Sequence, residues 1–256
     1  MTLCITSDRK SYVTYRQTSP YSQPVDSARV SGQISSSMSS QEPLPSAFGA
    51  YTTARDVIGD SCRLDGITAI VTGGYAGIGL ETTRVLAAAG AQVIVPARDL
   101  AKARAALSGL ANVTLDEIDL SMPATIDAFA ARFGDRSLHL LINNAGIMAA
   151  PLSRDSRGLE SHLAVNHVGH FQLFVRLVPA LQKAQGARVV ALSSRGHVRS
   201  AFEFEDPNFE HRSYDKMMAY GQSKTANVLF GPVLLTHLRQ RRFRRIVTGY
   251  LSYTWV

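Results

Sequence analysis

Cysteine is nearly absent: Cys4 and Cys62 are the only two in 256 residues, far apart and without partners at metal-ligand spacing. This excludes a disulfide framework and a cysteine-based zinc site, and it suits a reducing compartment. Long apolar runs are missing too. Val189–Leu192 and Val228–Leu235 fall far short of the ~20 residues a membrane helix needs, and Gly231-Pro232 interrupts the second, so no transmembrane segment is expected. The amino end lacks the basic-then-apolar order of a secretory signal. It is Ser-rich with a few basic residues, which leaves an organelle transit peptide as the alternative to a cytoplasmic location. The basic excess is also thin. A formal charge of +7 comes from 27 Lys+Arg against 20 Asp+Glu, yet five of the arginines crowd one segment, at Arg239, Arg241, Arg242, Arg244 and Arg245. Setting those five aside leaves 22 basic against 20 acidic side chains. A solvated helix end or tail accounts for that run better than a nucleic-acid site, and no nucleic-acid partner is expected.

Residues 1 to about 48 are rich in Ser, Thr, Gln and Pro, show neither helical nor strand periodicity, and are expected to be disordered. From Leu64 short apolar runs alternate with amphipathic segments, the pattern of a parallel sheet covered by helices on both faces. The expected strands are Thr68–Thr72, Gln92–Val95, Val113–Ile118, Leu138–Asn143 and Arg188–Ser193. Helices are expected over Ile78–Ala89, Leu100–Leu107, Pro123–Phe133, Gly158–Ala184 and Ala219–Phe230. The domain plan is a largely disordered extension (1–62), a nucleotide-binding catalytic domain (63–238) and a divergent basic tail (239–256). The fold class is α/β, a doubly wound, Rossmann-like parallel sheet in a single domain.

Two patterns carry chemistry. The apolar strand Ala69-Ile70-Val71-Thr72 runs directly into Gly73, Gly77 and Gly79 and then into a helix. Glycines let the backbone approach a pyrophosphate, and the helix start offers N–H groups and a favourable dipole. Downstream, Tyr220 and Lys224 lie four apart on an expected helix and hence on one face. An ammonium there sits beside a phenol and favours its ionised form, a pair suited to proton exchange. Spacing alone makes this pair weak; the order of its companions strengthens it.

Thr72–Gly79, Asn143-Asn144-Ala145-Gly146, Val165-Asn166-His167-Val168-Gly169-His170-Phe171, Ser193-Ser194 and Tyr220-Gly221-Gln222-Ser223-Lys224 form an ordered set. With it the chain resembles the short-chain dehydrogenase/reductase family from about Leu64 to Phe230. The wording E-x-H-x-x-V-N-H-x-G-H-F, with Y-x-x-S-K-x-A-N-V-L-F after it, is similar to the retinol dehydrogenase and WW-domain oxidoreductase branch. The resemblance implies an enzyme interconverting a carbonyl and an alcohol, with a small molecule of that kind as substrate, a nicotinamide cofactor, and assembly as a homo-oligomer. It implies that Tyr220 exchanges a proton with the substrate oxygen, and that Lys224 keeps Tyr220 acidic and holds the nicotinamide ribose. Ser194, with Ser193 as the alternative, would hydrogen-bond the reacting oxygen, and Asn166 would hold a water linking Lys224 to solvent.

Cofactor binding is assigned on the same basis to Gly73, Gly77, Ile78, Gly79, Arg98, Asp119, Asn144, Ala145 and Gly146, together with Tyr220 and Lys224. By comparison with the family, Ala97 takes the usual acidic position and Arg98 the next, which favours NADP. Asp99 beside them keeps NAD as the alternative. His162, His167 and His170 crowd one helix but lack cysteine or clustered carboxylate partners, so they are read as packing and polar support and no metal is expected. Phe171, Phe174 and Leu177 form a helical apolar stripe, read as core or subunit contact.

The resemblance breaks at Gly231-Pro232, where a helix is expected to kink or stop. Arg245–Tyr250 can supply a short sixth strand, and a seventh has no sequence left. The expectation from this break is a truncated or frame-shifted reading of a longer gene. The rival to an enzyme is then a catalytically impaired nucleotide-binding or interaction protein derived from one.

Overall fold

The computed structural model describes residues 48–49, 51–184, 186–239 and 245–251, and of the side chains from 232 onward only the backbone elements are described. The disorder expected for residues 1–48 therefore falls almost wholly outside the described residues, as do Arg241, Arg242 and Arg244 of the arginine run. Among the described residues six strands form one sheet: β1 (Thr68–Val71), β2 (Gln92–Ala97), β3 (Val113–Glu117), β4 (Leu140–Asn143), β5 (Arg188–Ser194) and β6 (Arg245–Leu251). Their order is β3-β2-β1-β4-β5-β6, and every pairing is parallel. The helices are α1 (Ala54–Ile58), α2 (Gly77–Ala88), α3 (Leu100–Ala106), α4 (Pro123–Phe133), α5 (Ser161–Leu163), α6 (Gly169–Lys183) and α7 (Lys216–Arg239). A π-helical turn, Ala164–Val168, joins α5 to α6, and a 3-10 turn, Arg195–Arg199, follows β5. This is a doubly wound α/β sheet whose strand order reverses between β1 and β4, the place where such folds open a ligand crevice at the strand ends.

The strands are apolar on both faces because helices cover both. Ile70, Leu141, Val189 and Ala191 face Ile126 and Phe129 of α4 and Leu173 and Leu177 of α6. Val71, Val93, Val95 and Ile142 point the other way, toward Leu86 of α2. Each fully buried Ile, Leu or Phe contributes roughly 1.5–3 kcal/mol relative to exposure. The stop after α2 is encoded locally. Gly90 takes φ +102°, its N–H donates to Ala87 O at 3.0 Å, and the Ala91 N–H donates to Leu86 O at 3.1 Å. That paired closure of a helix end favours glycine in the left-handed residue.

The structure departs from the sequence expectation in particular places. Helix α7 does not stop at Gly231-Pro232 but runs on to Arg239, so of the expected kink or stop the stop is overturned. The short sixth strand expected over Arg245–Tyr250 is present as β6, which lies parallel to β5 at the sheet edge. Within the extension, Thr53 and Asp56 form a reciprocal capping box that starts α1. Among the described residues no helix is long and apolar enough to cross a membrane.

Candidate active site

The glycine loop between β1 and α2 is built by close approach. Gly73 takes φ +64°, and a Cβ on it would lie 3.0 Å from Ala145 Cα; a Cβ on Gly79 would lie 2.3 Å from Gly73 O and 2.4 Å from Asn144 Nδ2. Only glycine fits at Gly79. Gly77, by contrast, takes φ +50° with nothing within 4 Å of a Cβ, so its surroundings are open. Helix α2 starts there at Ala76 with no side-chain cap and no acidic residue in its first turn. Uncapped N–H groups, positive dipole end and open space together fit a phosphate. Ile78 is the second residue of that helix, and its carbonyl accepts from Thr82 Oγ1 at 3.0 Å.

A buried hydroxyl joins this loop to the end of β4. Thr72 Oγ1 accepts the N–H of Asn144 at 2.9 Å and of Ala145 at 3.0 Å, and it lies 2.8 Å from His170 Nε2. His170 Nδ1 is 3.0 Å from Asn166 O, a carbonyl that can only accept, so the ring proton sits on Nδ1 and Thr72 donates to Nε2. Complete burial drives the His170 pKa down to about 3, which keeps that tautomer neutral. Asn144 Nδ2 adds a bond to Thr72 O at 2.8 Å.

Tyr220, Lys224, Ser194 and Asn166 come together at the carboxyl ends of β4 and β5. Tyr220 and Lys224 are one turn apart on α7, with Nζ 5.7 Å from the phenol ring centroid. Lys224 Nζ donates to Leu192 O at 3.1 Å, and burial lowers its pKa from 10.5 to about 8, so the ammonium form persists at neutral pH. A Cβ on Gly196 would lie 3.0 Å from Tyr220 Cε1 and 3.5 Å from Ser194 Oγ, so Tyr220 and Ser194 flank one backbone position. Ser193 faces elsewhere and is already engaged, its Oγ donating to Lys224 O at 2.8 Å. A Cβ on Gly146 would lie 3.0 Å from Asn166 Oδ1 and 3.5 Å from Lys224 Nζ, which puts both over the same glycine. Asn166, fully buried in the π-helical turn, accepts the Ile147 N–H at 2.8 Å and donates to Ile147 O at 3.0 Å and to Ser223 Oγ at 2.9 Å. Single π-helical turns inside α-helices are frequent at functional sites.

At the far end of the crevice, Arg98 is exposed just beyond β2, while Asp99 is occupied as the cap of α3, accepting the Lys102 N–H at 2.9 Å. Asp119 Oδ1 accepts the Ser121 N–H at 2.9 Å and its hydroxyl at 2.6 Å, the bonding of a turn aspartate. The three histidines all have protein partners: His162 with Glu160, His167 with Asn227, and His170 with Thr72. Among the described residues no group of three or more His, Cys, Asp or Glu is placed to hold a metal. Phe174 and Leu177 are buried in the core, whereas Phe171 is 44% exposed. Sequence reasoning missed Thr72 and Gln222 as supports. Gln222, fully buried between Tyr220 and Lys224 in sequence, donates to Pro207 O at 2.8 Å and accepts from Arg212 at 2.6 Å.

A family model described as short chain dehydrogenase matches residues 67–205. Human retinol dehydrogenase 12 is 41% identical over 193 residues, covering 71% of this chain and 61% of that protein. A crystal structure of an uncharacterised protein from Mycobacterium paratuberculosis aligns with TM-score 0.71 and 37% identity, over 77% of this chain and 72% of that one. The Pseudomonas aeruginosa RhlG/NADP complex aligns with TM-score 0.57 and 28% identity, over 74% and 73%. The chain belongs to the short-chain dehydrogenase family, and its similarity to retinol dehydrogenases places it in that branch. It spans 58% of the length of the first curated relatives it matches.

Proposed function

We propose that this chain interconverts a carbonyl and an alcohol, using NADP(H) and the set Tyr220, Lys224, Ser194 and Asn166. The observation that carries the reading is the convergence of these four side chains beside Gly146 and Gly196, at the mouth of a glycine loop fitted to a phosphate. The bound nicotinamide supplies or accepts the hydride. Tyr220 exchanges the proton at the substrate oxygen, so charge does not build up there. Ser194 Oγ accepts the Gly196 N–H at 3.1 Å but, unlike Ser193, does not spend its own proton on Lys224 O, and it donates that proton to the same oxygen. Two of the three Lys224 N–H donors make no bond to described residues and are available to the ribose hydroxyls. Asn166 Oδ1 faces the space that Lys224 Nζ also faces and is where a proton-carrying water would sit.

Arg98 supports NADP over NAD, because Asp99 is committed to capping α3 and the guanidinium is left to pair with a 2′-phosphate. The remaining cofactor contacts fall to Gly73, Gly77, Ile78, Gly79, Asn144, Ala145, Gly146 and, at the adenine, Asp119. A cytoplasmic location agrees with the scarcity of cysteine. The test is to titrate the purified chain with NADPH and NADH and to assay both against panels of aldehydes, ketones and alcohols. Binding of NADPH with turnover of a carbonyl is expected; absence of both would refute the reading.

A further inference from the structure

Glu160 is a carboxylate with no exposed surface, and His162 beside it is buried as completely. Burying a charge is expensive unless it is fully bonded, so the destinations of those bonds are informative. Glu160 Oε2 accepts the Leu163 N–H at 2.9 Å. Its Oε1 lies 2.7 Å from His162 Nδ1 and 3.1 Å from the Tyr214 hydroxyl. Burial alone would raise the Glu160 pKa; hydrogen bonds from the His162 ring and from the His162 and Leu163 amides outweigh it and hold the group below its ordinary value.

The other ends of this cluster converge on one residue, Ala150. The Ala150 N–H donates to His162 Nε2 at 3.2 Å, so that nitrogen accepts and the ring proton points at Glu160. The single Tyr214 hydroxyl proton lies between two acceptors, Ala150 O at 3.0 Å and Glu160 Oε1 at 3.1 Å, and is shared between them as a three-centre bond. Ala150 is thus held on both sides, and three residues earlier Ile147 is held on both sides by Asn166. Between the two clamps Ala149 takes φ +56°, a conformation that is unfavourable for a non-glycine residue and persists only where its surroundings impose it. Met148, half-exposed, is carried on the same turn. One end of the turn adjoins Gly146, over which Lys224 sits; the other adjoins His162, whose ring meets Tyr220 edge-on at 6.3 Å. The cluster's bonds to Ala150 therefore reach a turn that borders Gly146 and Lys224, while its other bonds, to Ser161, Leu163 and Asn208, anchor Glu160 itself.

We infer that Glu160, His162 and Tyr214 are positioning residues that hold the strained Ile147–Ala150 turn, and so set where Met148 meets the substrate beside Tyr220. This rests on the proposed oxidoreductase activity. The test uses Tyr214→Phe in the full chain, which removes one hydroxyl and keeps the ring packed on Phe209. Loss of that bond is expected to raise KM for the carbonyl substrate roughly three- to tenfold, with kcat and the NADPH dissociation constant each within about twofold of the parent. Amide exchange should quicken only over residues 147–150. Adding Ala149→Gly, which accepts positive φ without strain, should bring KM back toward the parent value. An unchanged KM would overturn the inference, as would a joint loss of kcat, cofactor affinity and thermal stability that Ala149→Gly does not repair. If the parent turns over no carbonyl, the proposed activity fails on its own, and exchange decides the clamp: local acceleration in Tyr214→Phe upholds it, unchanged exchange refutes it.

Discussion

Replacing Lys224 by methionine should stabilise the fold while abolishing its chemistry. Lys224 is 5% exposed, and burial takes its pKa from 10.5 to about 8. The unfolded chain keeps the ordinary value, so below pH 8 both states carry the ammonium and the folded state bears the full desolvation cost. Between about 8 and 10.5 the unfolded state binds more protons, and stability rises with pH; above 10.5 both states are neutral and the cost is gone. At about 1.4 kcal/mol per pH unit, the difference amounts to about 3 kcal/mol at neutral pH. Methionine matches the length of the lysine stem, and Leu192 O keeps its bond from Asn227 Nδ2 at 3.0 Å. Lys224→Met should therefore gain about 2–3 kcal/mol at pH 7, with the gain fading toward zero above pH 10.5. Urea denaturation of both proteins across that range measures the difference, in which other titrating groups cancel. A variant less stable than the parent at pH 7, or a difference that stays constant from pH 8 to 10.5, would refute the reasoning.

Arg98→Ala should erase most of a preference for NADPH over NADH, since a charge-assisted pair to the 2′-phosphate contributes roughly 1.5–3 kcal/mol; an unchanged ratio of dissociation constants would return the assignment to Asp99 and NAD. Ser194→Ala should lower kcat by about 10²-fold or more with little effect on cofactor affinity, whereas Ser193→Ala, which removes the bond to Lys224 O, should cost about 1 kcal/mol of stability. The opposite pattern in steady-state kinetics and melting would exchange the two roles. Gly79→Ala should weaken NADPH binding at least tenfold, because a Cβ 2.3 Å from Gly73 O forces the loop to move; titration at parental affinity would show that the loop is not the phosphate site.

Much of this was legible in the sequence, for identifiable reasons. Strand cores such as Ala69–Val71 and Leu140–Ile142 are continuous apolar runs, the mark of strands buried on both faces. Gly73, Gly77 and Gly79 stand where a tight strand-to-helix turn demands them. What stayed hidden depends on contacts distant along the chain. Expected as one helix from Gly158, the segment in fact starts at Ser161, capped by Glu160, and widens into a π turn at Asn166, whose side chain bonds Ile147 and Ser223. Glu160 is one carboxylate among many in the sequence, because its partners His162, Leu163 and Tyr214 are brought to it by the fold. Likewise, the choice between Ser193 and Ser194 turns on which hydroxyl reaches Lys224 O. The passage of α7 through Gly231-Pro232 decides between the two outcomes a helical proline allows, in favour of continuation.

The central claim is that Tyr220 donates the proton while a bound nicotinamide delivers hydride. It is tested most directly by incubating parent and Tyr220→Phe with deuterium-labelled NADPH and a ketone panel, measuring label in the alcohol by mass spectrometry and NADPH affinity in parallel. The account predicts labelled alcohol from the parent, none from Tyr220→Phe, and dissociation constants within a few fold of each other, since the ring remains packed against Gly196. Equal labelling by both proteins would contradict it.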